Sequence, residues 1–404
     1  MRHLPDFPWD SLVPFRERAR GYGAPASAPE PEHGATEGPT RDDGGLVDLS
    51  VGTPVDPTPQ VVQDALSAAS NAPGYPQTHG TPDLREAVAT WFAARRGVPD
   101  VDPAGVLPTI GSKELVAWLP SILGLGPGDV VAFPRTAYPT YDVGARLAGA
   151  TPFPADATTA FGPVTTNTAP KLLWLNSPGN PTGQVLGVEH LAKVVAWARR
   201  HGVIVASDEC YAELDWRPAQ ERDRFPTTPS VLDPRVTGGS HEGLLCVYSL
   251  SKQSNLAGYR AAFVAGDPAL VGRILEVRKH AGMMMPWPVQ RAMLAALADP
   301  VHVEEQRARY AARRAVLRPA VEKYGLRVDH SEAGLYLWAS AGEDSWTTLG
   351  RLADLGILAA PGAFYGVAGQ AHVRIALTAD DARIGWAAAR LRRAVDGRDG
   401  VRQP

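Results

Sequence analysis

Cysteine is nearly absent from this chain: Cys210 and Cys246 are the two in 404 residues, the second inside the apolar run 244–248. That excludes a disulfide framework and any cysteine-based metal spacing, and it points to reduced core thiols in a cytoplasmic protein. No apolar run reaches membrane-spanning length. The segment Met1 to Trp9 lacks the apolar centre of a secretion signal. Neither sign of charge dominates. Forty Lys and Arg against 43 Asp and Glu leave a formal net charge of -3, too little for a broad attraction to nucleic acid or anionic membrane. No internal repeat is found. What the chain does have is 44% apolar residues, enough for a large core, and 37 Pro with 40 Gly, which implies many loops.

Residues 4–15 mix aromatics, proline and acid, and read as an arm that packs on something. Residues 24–45 are rich in Pro, Ala, Glu and Gly and carry few large apolar groups. They cannot bury enough surface to offset their ordering entropy, so a flexible insertion is expected. Beyond it, short apolar runs alternate with amphipathic segments. Strands are expected at Val106–Ile110, Val130–Phe133, Leu172–Leu175 and Val203–Ala206. Helices are expected over 59–69, 84–96, 112–123 and 188–201. Fully apolar strands alternating with helices imply an α/β fold, a mainly parallel sheet with helices on both faces. After Pro288 come helices over 290–297 and 303–324 and then a short α/β pattern, expected to form a smaller α+β domain. The Arg- and Glu-rich 303–324 helix reads as a solvated face rather than an RNA-binding one. The expected division is 1–55 as arm and part of the small domain, 56–287 as the large domain and 288–404 as the rest of the small domain, with 396–404 a frayed tail.

The most informative stretch is Ser249-Leu250-Ser251-Lys252-Gln253-Ser254-Asn255-Leu256-Ala257-Gly258-Tyr259-Arg260, lying between the apolar runs 244–248 and 261–265. Two strands and a loop are expected, the second strand antiparallel. A lysine where a buried strand ends is partly desolvated, which favours an amine able to attack a carbonyl. An arginine eight positions on can hold a phosphate near it. A Schiff-base lysine beside a phosphate anchor is what pyridoxal phosphate requires. An ordinary loop lysine and a Ser-x-x-Lys nucleophile pair are the other readings of this stretch; the companion motifs of the second, Ser-Asp-Asn and Lys-Thr-Gly, do not occur downstream.

In open α/β sheets ligands sit beyond the carboxyl ends of the strands. After Ile110 come Gly111-Ser112-Lys113-Glu114, either a plain helix cap or a phosphate cradle. After Phe133 comes Tyr138, either a packing ring or a stacking platform for a flat cofactor. After Leu175 comes Asn176-Ser177-Pro178-Gly179-Asn180-Pro181-Thr182-Gly183, a rigid turn in which Asn180 can donate to a phenolate oxygen. After Ala206 come Ser207-Asp208-Glu209-Cys210-Tyr211. A carboxylate buried there is costly without a cation, and a pyridinium nitrogen would supply one. Tyr211 can reach the same ring.

Asn-Pro-x-Gly at 180–183, Asp-x-x-Tyr at 208–211 and Ser-x-x-Lys followed by Arg at 249–260 resemble the fold-type I, class I/II aminotransferases. The resemblance spans nearly the whole chain outside 24–45 and the tail. It implies pyridoxal 5'-phosphate as cofactor and assigns roles residue by residue. Lys252 would carry the cofactor and move a proton at the substrate α-carbon. Asp208 would pair with the ring nitrogen. Asn180 and Tyr211 would hydrogen-bond the ring oxygen, and Tyr138 would stack on the ring. Ser112, the Lys113 backbone N–H, Ser249 and Arg260 would bind the phosphate. Arg374 would grip the substrate α-carboxylate in a two-pronged pair, with Gly52 allowing close backbone approach. Tyr75, within Gly74-Tyr75-Pro76-Gln77-Thr78-His79-Gly80, would reach the other subunit's phosphate, which implies a homodimer; His79 reads as structural. The segments 4–10, 48–57 and 111–114 resemble more closely the actinobacterial succinyldiaminopimelate aminotransferases. From that follows an expected exchange of an amino group between glutamate/2-oxoglutarate and N-succinyl-2-amino-6-oxopimelate, in lysine and diaminopimelate synthesis. Another amino acid as substrate, or carbon–sulfur lysis on the same fold, are the alternatives.

Overall fold

The computed structural model describes residues 4–22, 45–156, 160, 169–221 and 227–399. Residues 24–44 of the expected insertion and 400–404 of the expected tail lie outside these. The chain divides into two compact units: Thr53–Arg309 with His330–Leu335 and residues 4–5, and Asp6–Gly52 with Tyr310–Asp329 and residues 336–404.

The first unit is built on a seven-stranded sheet. Its spatial order is Val106–Ile110, Ala261–Gly266, Leu244–Ser249, Ile204–Asp208, Leu172–Asn176, Val130–Phe133, Thr151–Pro154. Ala261–Gly266 runs antiparallel to both its neighbours, and every other pairing is parallel. The continuous apolar character of the strands has a direct cause. Leu244, Cys246 and Tyr248 enter one core, while Leu245 and Val247 enter another on the opposite face. Successive side chains of a strand point to opposite faces, so a strand covered on both needs apolar residues at every position. Emptying one such site, as in Leu245→Ala, costs about 2–5 kcal/mol because the surroundings cannot fully collapse.

Helices fall where caps direct them. Thr81 accepts from the Leu84 N–H to open Pro82–Trp91, and Asp267 accepts from the N–H groups of Ala269 and Leu270 to open Pro268–Ala281. Val188–His201 carries Arg199, Arg200 and His201 at its end and stops at Gly202, φ 65°. The helix expected over 84–96 closes instead with a π-helical turn, Phe92–Arg96. That turn delivers Arg96 to a buried ion pair with Glu209, at 2.6 Å. Strand Thr151–Pro154 and helices Thr140–Ala148 and Pro268–Ala281 were not anticipated from periodicity.

The second unit has a four-stranded antiparallel sheet, in the order Ala360–Pro361, Val373–Ala376, Tyr336–Ser340, Arg327–Asp329. Val47–Asp48 and Ile357–Leu358 pair separately and in parallel. The expected arm at 4–15 is in fact helical over Pro8–Leu12 and Val13–Arg20. It buries Leu12 and Ala19 and sets the Trp9 ring 5.1 Å from that of Phe364. The last helix, Asp381–Asp399, runs into the region expected to be frayed.

Candidate active site

In the first unit, strand Leu244–Ser249 ends directly in a helical turn, Leu250–Gln253, rather than the expected loop. Ser249 caps this turn: its hydroxyl accepts from the Ser251 N–H over 3.2 Å and lies 2.8 Å from the Ser251 hydroxyl. Lys252 is thereby fixed, half-buried, one residue before the turn's end. The chain then reverses through Asn255 at φ 54° and re-enters the sheet after Arg260 at φ 57°. Two non-glycine residues in the left-handed region cost about 1–2 kcal/mol each. They are held there by contacts: Asn255 donates to the Pro57 carbonyl and the Gln306 side chain, and Arg260 to the Ala257 carbonyl.

Arg260 lies against the turn between strand Val106–Ile110 and helix Ser112–Ile122. The turn residue Gly111 has φ 81°, and a Cβ there would collide with the Arg260 guanidinium. No side chain caps that helix. Its first-turn N–H groups, the Ser112 hydroxyl and a guanidinium therefore lie side by side, which is a built anion cradle. A plain cap at Ser112, the other reading of this turn, is not what the structure has: Gly111 occupies the cap position and Ser112 is the first helical residue.

Asp208 closes strand Ile204–Asp208 and is 8% exposed. Tyr141 donates its hydroxyl to Asp208 Oδ2 over 2.9 Å, and the Cys210 N–H donates to Oδ1 over 3.3 Å. Burial pushes the Asp208 carboxyl above its ordinary value. The hydrogen bonds from Cys210 and Tyr141 oppose this, and the neighbouring Glu209 charge adds to it. A carboxylate held this way gains from a cation brought to it. Tyr141 is the residue that the sequence reading missed. Its signal was its place three residues after Tyr138, whose ring lies 6.1 Å away and perpendicular.

Asn180 is placed by a second asparagine. The Asn180 N–H donates to Asn176 Oδ1 over 2.7 Å, and Asn176 Nδ2 donates to the Asp208 carbonyl over 3.0 Å. Strand register sets Asn176 opposite Asp208. Tyr211 is buried, and a Cβ on Gly334 would rest in ordinary contact with its ring. The Cys210 thiol, buried and pushed well up by desolvation first, interacts with Ser112 and Lys252 as well as with Asp208. Strand ends far apart in sequence thus meet: Ser112, Asp208, Cys210 and Lys252 share one neighbourhood. Lys113 is exposed, and Tyr75 is 98% exposed.

In the second unit, Arg374 is 3% exposed. It donates to the Ser50 carbonyl over 2.6 Å, and its guanidinium carbon lies 4.0 Å from the Tyr336 ring centre. Gly52 meets the same tyrosine, since a Cβ there would collide with the Tyr336 hydroxyl. The two residues assigned to the substrate carboxylate are therefore brought together on one ring. Tyr336 is a further residue that motif reading did not single out.

Pyridoxal phosphate fits the first-unit residues. The uncapped helix start with Arg260 suits its phosphate, the buried Asp208 suits a protonated ring nitrogen, and Lys252 offers an amine to its aldehyde. Among the described residues no cluster of three or more His, Cys, Asp or Glu could hold a metal, and no helix is long and apolar enough to cross a membrane.

Residues 45–391 match the family model for aminotransferases of class I and II. The chain is 57% identical over 393 residues to 4-dedimethylamino-4-oxo-anhydrotetracycline transaminase OxyQ of Streptomyces rimosus, covering 97% of this chain and 100% of that one. It is 55% identical to "Probable aminotransferase Rv1178" of Mycobacterium tuberculosis, covering 96% and 85%. It is 35% identical to the LL-diaminopimelate aminotransferase of Aquifex aeolicus, covering 86% and 91%. A solved aminotransferase structure from Neisseria meningitidis superposes with a TM-score of 0.81 at 30% identity, covering 97% and 98%.

Proposed function

The chain belongs to the class I and II aminotransferases, pyridoxal-phosphate enzymes, and we propose that it moves an amino group between glutamate/2-oxoglutarate and the open-chain oxo acid N-succinyl-2-amino-6-oxopimelate. Bound at this site, the cofactor supplies an electron sink for the substrate α-carbon. The protein's residues do the rest. Asp208 stays ionised and pairs with the ring nitrogen, while Tyr141 and the Cys210 N–H keep its carboxylate oriented. Asn180 and Tyr211 donate to the ring oxygen, and Tyr138 covers the ring. Ser112, the Lys113 N–H, Ser249 and Arg260 hold the phosphate. Lys252 takes and returns a proton at the α-carbon. Arg374, aligned by Ser50 and Tyr336, holds the α-carboxylate that donor and acceptor share, with Gly52 beside it. Tyr75 reaches the phosphate of a second copy in a homodimer that works in the cytoplasm.

The observation that carries the transaminase reading is the buried Asp208, held by Tyr141 and the Cys210 N–H at the end of one strand, with Lys252 in the turn that follows the neighbouring strand. Support for an acyclic dicarboxylic acceptor comes from the Aquifex relative's diaminopimelate substrate and the resemblance of segments 4–10, 48–57 and 111–114. A second reading rests on the higher identity to OxyQ, whose name specifies an oxo-anhydrotetracycline acceptor: a fused-ring ketone would then take the place of the oxo acid. Steady-state amination with glutamate as donor decides between them. N-succinyl-2-amino-6-oxopimelate should be turned over with the highest kcat/KM in a panel of oxo acids and polycyclic ketones. A ketone preferred tenfold or more would replace the first reading with the second.

A further inference from the structure

The turn that carries Lys252 is tied to one face of helix Val301–Lys323 by two side chains four residues apart. His302 Nε2 lies 2.8 Å from the Ser254 hydroxyl, and His302 Nδ1 lies 3.1 Å from Asp299 Oδ2. One helical turn on, Gln306 Oε1 accepts from Asn255 Nδ2 over 3.0 Å, and Gln306 Nε2 donates to Asp56 over 2.7 Å. Residues i and i+4 share a helix face, so one surface fixes the two residues at which the chain turns back after the lysine. Ser254 is fully buried and His302 is 8% exposed.

The hydrogens in this chain can run only one way with a neutral ring. Burial favours a neutral Asp299 carboxyl, but bonds from Val301 and His302 outweigh that and keep it below its ordinary value, hence ionised. The carboxylate can only accept, so His302 Nδ1–H donates to it and Nε2 is left as an acceptor. Ser254 must then donate its hydroxyl to Nε2. The Ser254 oxygen accepts from Gln253 Nε2 over 3.3 Å, and Gln253 Oε1 accepts from the Tyr248 hydroxyl. Donors and acceptors alternate without a gap from Asp299 to Tyr248, passing both residues that follow Lys252.

We infer that His302 is a positioning residue for the catalytic lysine, acting through Ser254 to hold the turn Leu250–Gln253 so that the Lys252 amine meets the cofactor aldehyde. This rests on the reading of Lys252 as the cofactor-bearing residue. The ring also borders a cleft of about 280 Å³ lined by Asn255, Gln306 and Gln60. A substituted side chain at 302 therefore has room to settle without disrupting the core.

The test is the rate at which cofactor-free full-length protein captures pyridoxal phosphate on Lys252, followed by absorbance and by borohydride trapping with peptide mapping. Ser254→Ala and His302→Phe should each slow capture about tenfold. They should lower kcat and leave KM for glutamate near its original value. His302→Gln, whose amide can still meet Ser254, should recover most of the rate. The double variant Ser254→Ala/His302→Phe should be no slower than either single one, because both cut the same link. Capture at the wild-type rate by Ser254→Ala, or a double variant whose losses multiply, would overturn the inference. If His302→Phe does not fold, Ser254→Ala with His302→Gln still decides it. Wild-type protein that traps no cofactor on Lys252 would instead remove the underlying functional reading.

Discussion

Asp208 sets the balance between stability and activity at the scale of the single residue. Its carboxyl is pushed up by burial. An acid whose folded value is raised gives its full stabilisation below the unfolded value and loses it as pH rises through the folded one. The cofactor-free protein should therefore lose stability through this group as pH rises from the ordinary carboxylate range towards neutrality. Asp208→Asn keeps the size and removes the buried charge; its oxygen can accept from the Cys210 N–H, and its NH2 can donate to the Tyr141 hydroxyl in place of the bond that hydroxyl gives to Asp208. Its cofactor-free form should melt at or above the wild-type temperature at pH 7, and its turnover should fall by about 10²–10³, as when a preorganised electrostatic partner is lost. Melting curves across pH on both proteins, with single-turnover rates, check both halves. A cofactor-free variant that melts well below wild type would contradict the charge argument. Gly111 is the other decisive single position. An alanine there meets both a φ of 81° and the Arg260 guanidinium. Gly111→Ala should cost the fold about 1–2 kcal/mol in strain and, by pushing the Arg260 guanidinium out of the cradle, weaken pyridoxal phosphate binding roughly tenfold. Equilibrium dialysis gives the answer.

Elements meet the site through their ends, and the π-helical turn Phe92–Arg96 is the most consequential of these meetings. It places Arg96, fully buried, 2.6 Å from Glu209, the residue that follows Asp208. Glu209 also accepts from the Val231 N–H over 2.8 Å. The Arg96 guanidinium lies 5.7 Å from the Trp91 ring centre and 5.8 Å from that of Tyr248. Burying such a pair is not in itself stabilising, but removing one partner leaves a charge with nowhere to go. Arg96→Leu should cost about 3–5 kcal/mol in denaturant unfolding, and Arg96→Leu/Glu209→Leu should cost less than Arg96→Leu alone. A double variant as unstable as the sum of the two single ones would refute the pairing argument. That such a helix end would lie beside the Asp-x-x-Tyr motif could not be read in advance. Residue type alone does not separate a charged last turn from a buried ion pair at Arg95-Arg96, and only packing shows Arg96 turned inward.

For the whole molecule, the question is how many chains make a working site. Tyr75 is 98% exposed in the single chain. A large aromatic ring left in water contributes little to folding, so Tyr75→Ala should change unfolding free energy by no more than about 0.5 kcal/mol. If the proposed homodimer places it on a neighbour's phosphate, the same variant should release pyridoxal phosphate faster on dilution and leave sedimentation unchanged. Cofactor release at the wild-type rate would remove that role from Tyr75.

The sequence by itself determined the fold class and which polar residues stand at the strand ends. Strands apolar at every position can only be covered on both faces, and Asn180, Asp208, Lys252 and Arg260 stand at the ends of such strands, where an α/β sheet binds its ligands. Those signals are local: each lies within a dozen residues and depends on residue type and spacing. Tertiary structure decided what depends on distant partners. Tyr141 under Asp208, Tyr336 joining Gly52 to Arg374, and His302 behind Ser254 are contacts between segments separated by tens to hundreds of residues. A hydroxyl or an imidazole carries no mark in the chain of what it will face. Its role exists only once the backbone has folded and burial has left it a single partner.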